Sequence, residues 1–306
     1  MSVTAAQLKI IDAAASIMND APSDEDRAYM ARQLVQATLP HSNPGSVEVW
    51  TRRNGNLTLL IQPGYNIKAG KSFGYPYGTV PRLLLFWMTA EAVKNKSRRI
   101  ELGRSLTDFM LQLGMNPNNG GAGAKRSDAR RLRDQAERLF RAKLSFQVDE
   151  ERNGAEGTSW LDMAVAPKGQ MWWSHKEPDQ TTLWGSWVEL GEEFYNAITA
   201  APVPVNMRAL RALKKSPLAL DLYAWLTYES YRTSKKGRAR FVSWGNLMMQ
   251  LGTDYTNEAD FRRKVKASLR KIQTVYPGLQ LGKRMGGVEV LPTSQTAIQP
   301  TPAVTA

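Results

Sequence analysis

At 306 residues and 42 % hydrophobic content the chain is long enough for two domains with a sizeable core, which argues against wholesale disorder. It has no cysteine, so disulfides, thiolate metal sites and cysteine nucleophiles are all excluded. The formal net charge is +13, and no stretch has the length and apolarity of a membrane span or of a signal peptide. A cytoplasmic protein with no membrane partner is therefore expected. The charge is informative once it is placed. Residues 206–306 hold 17 Lys/Arg against 6 Asp/Glu, while 1–80 hold 7 against 6 and 81–205 hold 17 against 16. A basic excess confined to the last third points to a polyanion-binding surface there.

In chain order, residues 4–18 and 24–39 read as two amphipathic helices. Ser23 is placed to cap the second, with Asp24, Glu25 and Asp26 in its first turn and Pro40 at its end. Their role is either accessory packing or a dimerisation arm. Residues 47–62 alternate around Asn54-Gly55, a hairpin signal. Gly64 to Ser72 resembles a phosphate-binding loop. Five residues separate its first and last glycines instead of four, and Phe73-Gly74-Tyr75-Pro76-Tyr77-Gly78 stands where a helix should begin. Nucleotide binding is not expected.

Pro81 opens a helix from Arg82 to about Asn95, since a proline in the first turn sacrifices no hydrogen bond. Ser105 to Gly114 is a short helix. After a Gly/Asn loop, a basic helix runs from Arg126 to about Lys143. Its apolar side is Leu132, Ala136, Leu139 and Phe140, with Arg131, Asp134, Arg138 and Arg141 opposite. From Leu144 to Val188, β-favouring runs alternate with polar turns and read as one enlarged β-rich wing. It contains Trp160, Trp172, Trp173, Trp184 and Trp187, expected to fill a packing face or a protein interface rather than to stack on bases. Residues 200–205 read as a Pro-rich linker.

Beyond it, helices begin near Met207, and Ser216-Pro217 starts another that runs to about Tyr231. Ser234 to Arg238 is a basic turn. Ser243 to Gly252 is a short helix, 253–257 a turn, and a basic helix follows from about Glu258. Phe261, Val265, Leu269 and Ile272 share one face of that helix, and Arg263, Lys266, Arg270 and Lys271 lie opposite. Tyr276-Pro277-Gly278 stops it. Leu279 to Leu291 then reads as a hairpin with a Gly/Lys/Arg tip. A helix-turn-helix followed by a basic hairpin is a winged helix. Thr293 to Ala306 is an uncharged tail, expected to be disordered.

The layout occurs twice. At a constant offset of 138, Leu84, Trp87, Thr89, Glu91, Ser105, Met110, Gln112, Leu113 and Gly114 match Leu222, Trp225, Thr227, Glu229, Ser243, Met248, Gln250, Leu251 and Gly252, nine identities in 31 positions. The expected architecture is α+β, with tandem winged-helix domains, the first carrying the enlarged wing, preceded by N-terminal helices. The segments are 1–45 (N-terminal helices), 46–205 (first winged helix, for dimerisation or secondary DNA contact), 206–292 (second winged helix, the principal DNA binder) and 293–306 (tail).

Catalytic signatures are missing. His41 and His175 are the only histidines and are 134 positions apart, and there is no nucleophile elbow or zinc spacing. The chain reads as a binding protein with no cofactor and no metal. A metal-dependent nucleic-acid enzyme and a tandem winged-helix transcriptional repressor are the alternatives.

Several blocks also resemble the plasmid-encoded RepA replication proteins. They are Val80 to Thr89, Arg98 to Gly103, Val165 to Gly169, Leu183 to Trp187, Pro202 to Pro204 and Ser216 to Trp225, spread over roughly residues 60–292. The resemblance implies a bacterial, plasmid-associated initiator that binds repeated double-stranded DNA sites at the origin and promotes opening. It also implies work with the host initiator and helicase machinery, and one winged helix serving a homodimer. On this reading Arg262, Arg263, Lys266 and Arg270 lie nearest the major groove, where base edges are distinguishable. Lys271, Lys235, Lys236 and Lys214 grip phosphates, and Lys283 and Arg284 follow the backbone or the minor groove. Arg131 and Arg138, on the first copy's basic helix, are the secondary contacts.

Overall fold

The protein is described from a computed structural model covering residues 4–117, 127–152, 155–172, 185–252 and 255–298. In order, the first elements are α1 (Ala5–Asn19), a 3-10 turn (Asp24–Asp26), β1 (Arg27–Ala31), α2 (Arg32–Gln36), β2 (Trp50–Asn54), β3 (Leu57–Gln62), β4 (Tyr65–Asn66) and β5 (Lys71–Ser72). There follow α3 (Thr79–Asn95), β6 (Arg99–Glu101), α4 (Leu106–Gln112), α5 (Asp128–Phe140), β7 (Lys143–Arg152), β8 (Ala155–Ala164), β9 (Lys168–Gln170), β10 (Trp187–Glu189) and α6 (Glu192–Ala200). The last are β11 (Pro202–Asn206), α7 (Met207–Leu213), α8 (Pro217–Lys236), β12 (Arg240–Ser243), α9 (Trp244–Leu251), α10 (Glu258–Val275) and β13 (Gly287–Val290). The architecture is α+β. Two compact units are formed, one from residues 1–35 with 202–306, the other from 36–201.

The first unit is built around α8. Pro217 occupies its first turn, the Ser216 hydroxyl accepts the Ala219 N–H at 3.2 Å, and Leu218, Leu220, Leu222, Tyr223, Trp225 and Leu226 are buried. The N-terminal segment belongs to this unit. Ile10 and Ala14 of α1 are buried, and α1 packs on α7 and α10. The expected helix over 24–39 does not form as one piece. The Asp26 carboxylate takes up the Ser23 N–H and hydroxyl at 2.9 and 2.8 Å, closing a single 3-10 turn. The chain then extends as β1, which pairs antiparallel with β11, Tyr29 opposite Pro204. The 200–205 "linker" is thus largely a strand. Pro-Val-Pro-Val cannot turn helical, and its backbone groups need an extended partner once buried.

In the second unit a four-stranded sheet of order β2-β3-β7-β8 buries Leu59, Ile61, Leu144, Phe146 and Met163 on one face. The β2–β3 hairpin lies where the alternation puts it, with Asn54 opposite Leu57, so its two-residue loop is Gly55-Asn56, one position later than expected. The enlarged wing is not one structure. β7 and β8 join β3, with Phe146 opposite Leu59 and Leu144 opposite Ile61, whereas β9 and β10 pair with β6. Apolar cross-strand pairing across the β3–β7 ladder outweighs continuity along the chain. Trp160 is 71 % exposed on β8, and Arg99 stacks 4.2 Å over Trp187 on β10, so these two are not in a packed interior; Trp173 and Trp184 lie outside the described residues. Arg82, buried in α3, donates to the carbonyls of Leu39, Pro40 and Gly78 at 2.6, 2.9 and 2.7 Å.

The sequence repeat is visible as a shared order of elements. Each unit runs long helix, short strand, serine-capped short helix, second helix and returning strand: α3, β6, α4, α5, β10 in one and α8, β12, α9, α10, β13 in the other. Ser105 and Ser243 accept the N–H three residues on, at 3.1 and 3.3 Å. Thr89 and Thr227 both back-bond to the carbonyl four residues earlier, at 2.8 and 2.9 Å.

Candidate nucleic-acid interface

α9 and α10 are set by local capping. The Asn257 side chain accepts the Ala259 N–H at 2.7 Å, and Tyr276-Pro277-Gly278 ends α10 after Val275, as the sequence requires. The turn is held by Gly252, whose N–H donates to the Met248 carbonyl at 2.8 Å. A β-carbon there would lie 2.6 Å from the Phe261 ring, so the backbone seats directly on α10's first buried side chain. Residues 253 and 254 of the turn lie outside the described residues.

α10 buries Phe261, Val265, Ser268, Ile272 and Val275, and it packs on α1, α7, α8 and α9. Leu269, expected inside, is only half-buried; Ser268 takes the inner position. Arg262, Arg263, Lys266 and Arg270 are all exposed. At 3.6 residues per turn they fall within about 100° of one another, centred opposite the buried stripe. Lys271 is exposed on one flank of that arc, alongside Lys264, which the reading of the sequence passed over. The run Arg262-Arg263-Lys264 was the signal available for it. Arg263 is not a bare charge: its guanidinium meets the Asp260 carboxylate at 2.7 Å, one turn back.

The hairpin over 279–291 doubles back through the Gly282 N–H to Glu289 carbonyl and the Leu291 N–H to Gln280 carbonyl bonds, at 2.9 and 3.0 Å. Its main ladder is a different one: β13 pairs with β12, Val288 opposite Val242, while 279–281 contributes a single bridge. Lys283 and Arg284 are exposed near its tip, with Arg284 stacked 4.0 Å over Phe241. Lys235 and Lys236 are exposed at the C-terminal end of α8, beside Arg238 and Arg240. Lys214 is half-buried and engaged by other groups.

The α5 cations expected to touch DNA are both engaged. Arg131 is paired with the buried Asp128 carboxylate at 2.8 Å. Arg138 donates to the Tyr75 carbonyl at 3.2 Å and lies 5.4 Å over the Tyr77 ring. The outward face of α5 and its C-cap carries Arg130 and Arg141 with Asp134 and Glu137 in equal number, whereas the outer arc of α10 carries four cations against Asp260 at its edge. Among the described residues no group of three or more His, Asp or Glu could hold a metal ion, and no helix is long and apolar enough to cross a membrane.

The family described as plasmid-encoded RepA protein matches residues 75–246. The chain belongs to that family. It is a RepA-family replication initiator. The matched region takes in α3 to β12 and ends at Asn246 in α9, so α10 and the hairpin lie beyond it. A crystal structure of domains 2 and 3 of RctB, as selenomethionine derivatives, is similar over 84 % of this chain and 94 % of that one, at 12 % identity and a TM-score of 0.46. No curated protein matches the chain.

Proposed function

We infer that this RepA-family initiator binds repeated double-stranded DNA sites at its replicon's origin through two tandem winged-helix units. The observation that carries the reading is the outer face of α10, where Arg262, Arg263, Lys266 and Arg270 stand exposed opposite a buried apolar stripe. A helix of about 10 Å diameter with cations on its outer arc fits the major groove. In this mechanism α10 reads base edges, while Lys271, Lys235 and Lys236 neutralise phosphates, with Lys214 a lesser contact. Lys283 and Arg284 follow the backbone beside the groove. The 206–292 region is the principal reader, and it works with residues 1–35 as one folded unit. The 46–205 region supplies a dimer contact or a weaker DNA contact; Arg131 and Arg138 contribute there only by exchanging their present partners. Bound in an array, the protein strains the neighbouring duplex and recruits the host helicase machinery.

Footprinting of purified protein on the parent replicon's origin tests this. An array of protected direct repeats beside an A·T-rich segment is expected, and a single protected inverted repeat would make the protein a repressor instead. The affinity should fall steeply with salt, by roughly 0.9 log units per log unit of salt for each phosphate neutralised. Lys271→Ala should lower that slope by about one, and Arg270→Ala should cost about 1–3 kcal/mol of affinity and relax the preference at one base pair. No change in either variant would remove α10 as the contact surface.

A further inference from the structure

Two side chains are exposed in a way no packing role explains. Met285 is 92 % and Ile67 90 % exposed, the highest values among the large apolar residues described. Single exposed apolar residues are ordinary on protein surfaces. These two lie one in each unit, Ile67 just before α3 and Met285 between α10 and β13. Each is at the tip of a short hairpin, and each is beside exposed cations: Lys68 and Lys71 for Ile67, Lys283 and Arg284 for Met285.

Both tips are held in shape. In the β4–β5 hairpin the Ala69 N–H donates to the Asn66 side chain at 3.0 Å, the Gly70 N–H to the Ile67 carbonyl at 3.3 Å, and the Phe73 N–H to the Gly64 carbonyl at 2.9 Å. Gly70 sits at φ +63, which the tight turn requires. This is the stretch whose glycines and Lys-Ser resemble a phosphate loop, and it folds as a hairpin that presents an isoleucine. In the other unit the Gly286 carbonyl accepts the Trp244 N–H at 3.1 Å, tying the tip to the first residue of α9, and Arg284 is pinned on Phe241. No carboxylate occurs between Gly64 and Gly78; Glu289, the one acid of the second hairpin, lies at its base against Gly282.

We propose that Ile67 and Met285 are wedges that enter the DNA minor groove and partly unstack base steps, while the adjoining lysines and arginines grip the flanking phosphates. The inference rests on the DNA-binding reading above and adds to it the means of distortion. Aliphatic side chains inserted between base steps kink the duplex and lower the work of opening it. Pyrimidine–purine steps such as TA unstack most readily, so the wedges act best in A·T-rich DNA. A rigid, β-branched Ile and an adaptable Met suit insertion, and a stiff hairpin is needed to transmit the force. The surrounding cations set an anionic partner, and the apolar Ile67 and Met285 side chains between them set one with an apolar interior reachable past its phosphates.

The test compares full-length wild type with Ile67→Ala, Met285→Ala and the double variant on the parent replicon's origin DNA. Three readouts are taken together: protection footprint, permanganate reactivity of unstacked thymines, and electrophoretic bend. Both side chains are almost wholly exposed, so the variants should melt at the wild-type temperature. The double variant should protect the same sites, with affinity reduced by no more than about tenfold, because phosphate contacts dominate binding. It should lose the reactive thymines, and its bend should fall by about half or more from a wild-type value on the order of 20–90°. A double variant that still bends and opens the DNA like wild type would overturn the wedges and leave the DNA-binding reading standing. If wild type protects no origin DNA, both fall. Co-sedimentation of wild type, and not of the variant, with phosphatidylglycerol vesicles would reassign the tips to a lipid surface and overturn the proposal as well.

Discussion

The sharpest stability prediction concerns Asp26, because it decides whether the N-terminal segment is an arm or part of the DNA-binding unit. Arg208, at the start of α7, donates to the Ser16 carbonyl and hydroxyl at 2.8 and 3.1 Å and to the Ala21 carbonyl at 3.1 Å, and it bonds directly to the Asp26 carboxylate. Burial alone would raise the Asp26 carboxyl. Hydrogen bonds from Arg208 and from the Ser23 N–H and hydroxyl, with the Arg208 charge, outweigh burial and hold it at about 2 against an ordinary 3.8. At about 1.4 kcal/mol per pKa unit the pairing stabilises the unit by roughly 2 kcal/mol at neutral pH. Asp26→Asn should therefore cost about 2 kcal/mol in urea unfolding near pH 7. The folded-state value is depressed, so this contribution is complete above 3.8 and disappears as pH falls through 2; about half remains near pH 3. The gap between wild type and variant must narrow over that window. No loss at neutral pH, or a gap that does not shrink on acidification, would refute the assignment.

Asp260→Ala should tighten DNA binding severalfold in a gel shift by releasing Arg263 and removing a carboxylate from the contact face, and Arg263→Ala should weaken it by about 1–3 kcal/mol where that side chain pairs with a base. An unchanged affinity in Arg263→Ala would take it off the reading face. Gly252→Ala forces a methyl against the Phe261 ring and should cost on the order of 1–3 kcal/mol in thermal unfolding of the first unit. Arg82→Met takes one donor each from the Leu39, Pro40 and Gly78 carbonyls, of which Leu39 keeps Arg52 and Pro40 keeps the Gly78 N–H; the second unit should lose about 1–3 kcal/mol, while the salt slope of the residual folded protein stays at the wild-type value. Truncation after Pro292, set against truncation after Ile298, removes the Ser234–Thr293 and Tyr276–Gln295 bonds and should lower stability by about 1 kcal/mol for each.

The last of these marks a departure from expectation. Thr293 to Ile298 has the composition of a loose tail, yet Ala297 and Ile298 are buried and Gln295 covers Gly278; residues beyond 298 lie outside those described. Nothing local in Thr-Ser-Gln-Thr-Ala-Ile encodes that. The partners, Ser234 and Tyr276, are 59 and 19 positions away.

What the residues determine unaided is whatever depends on neighbours along the chain. The limits of α9 and α10, their caps, the stop at Tyr276-Pro277-Gly278, the one-sided cations of α10 and the 138-residue repeat are all short-range or periodic, and the sequence carries them openly. Tertiary structure decided everything that required choosing among distant partners. It broke the second N-terminal helix to pair Arg27–Ala31 with Pro202–Asn206, and it sent β7 and β8 to β3 rather than into a wing. It also tied Arg131, Arg138 and Arg208 to carboxylates and carbonyls while leaving Arg262, Lys266 and Arg270 of α10 exposed. The physical reason is that strand pairing and the burial of a charge are settled by free-energy differences between long-range partners. Those differences exist only once the chain has folded.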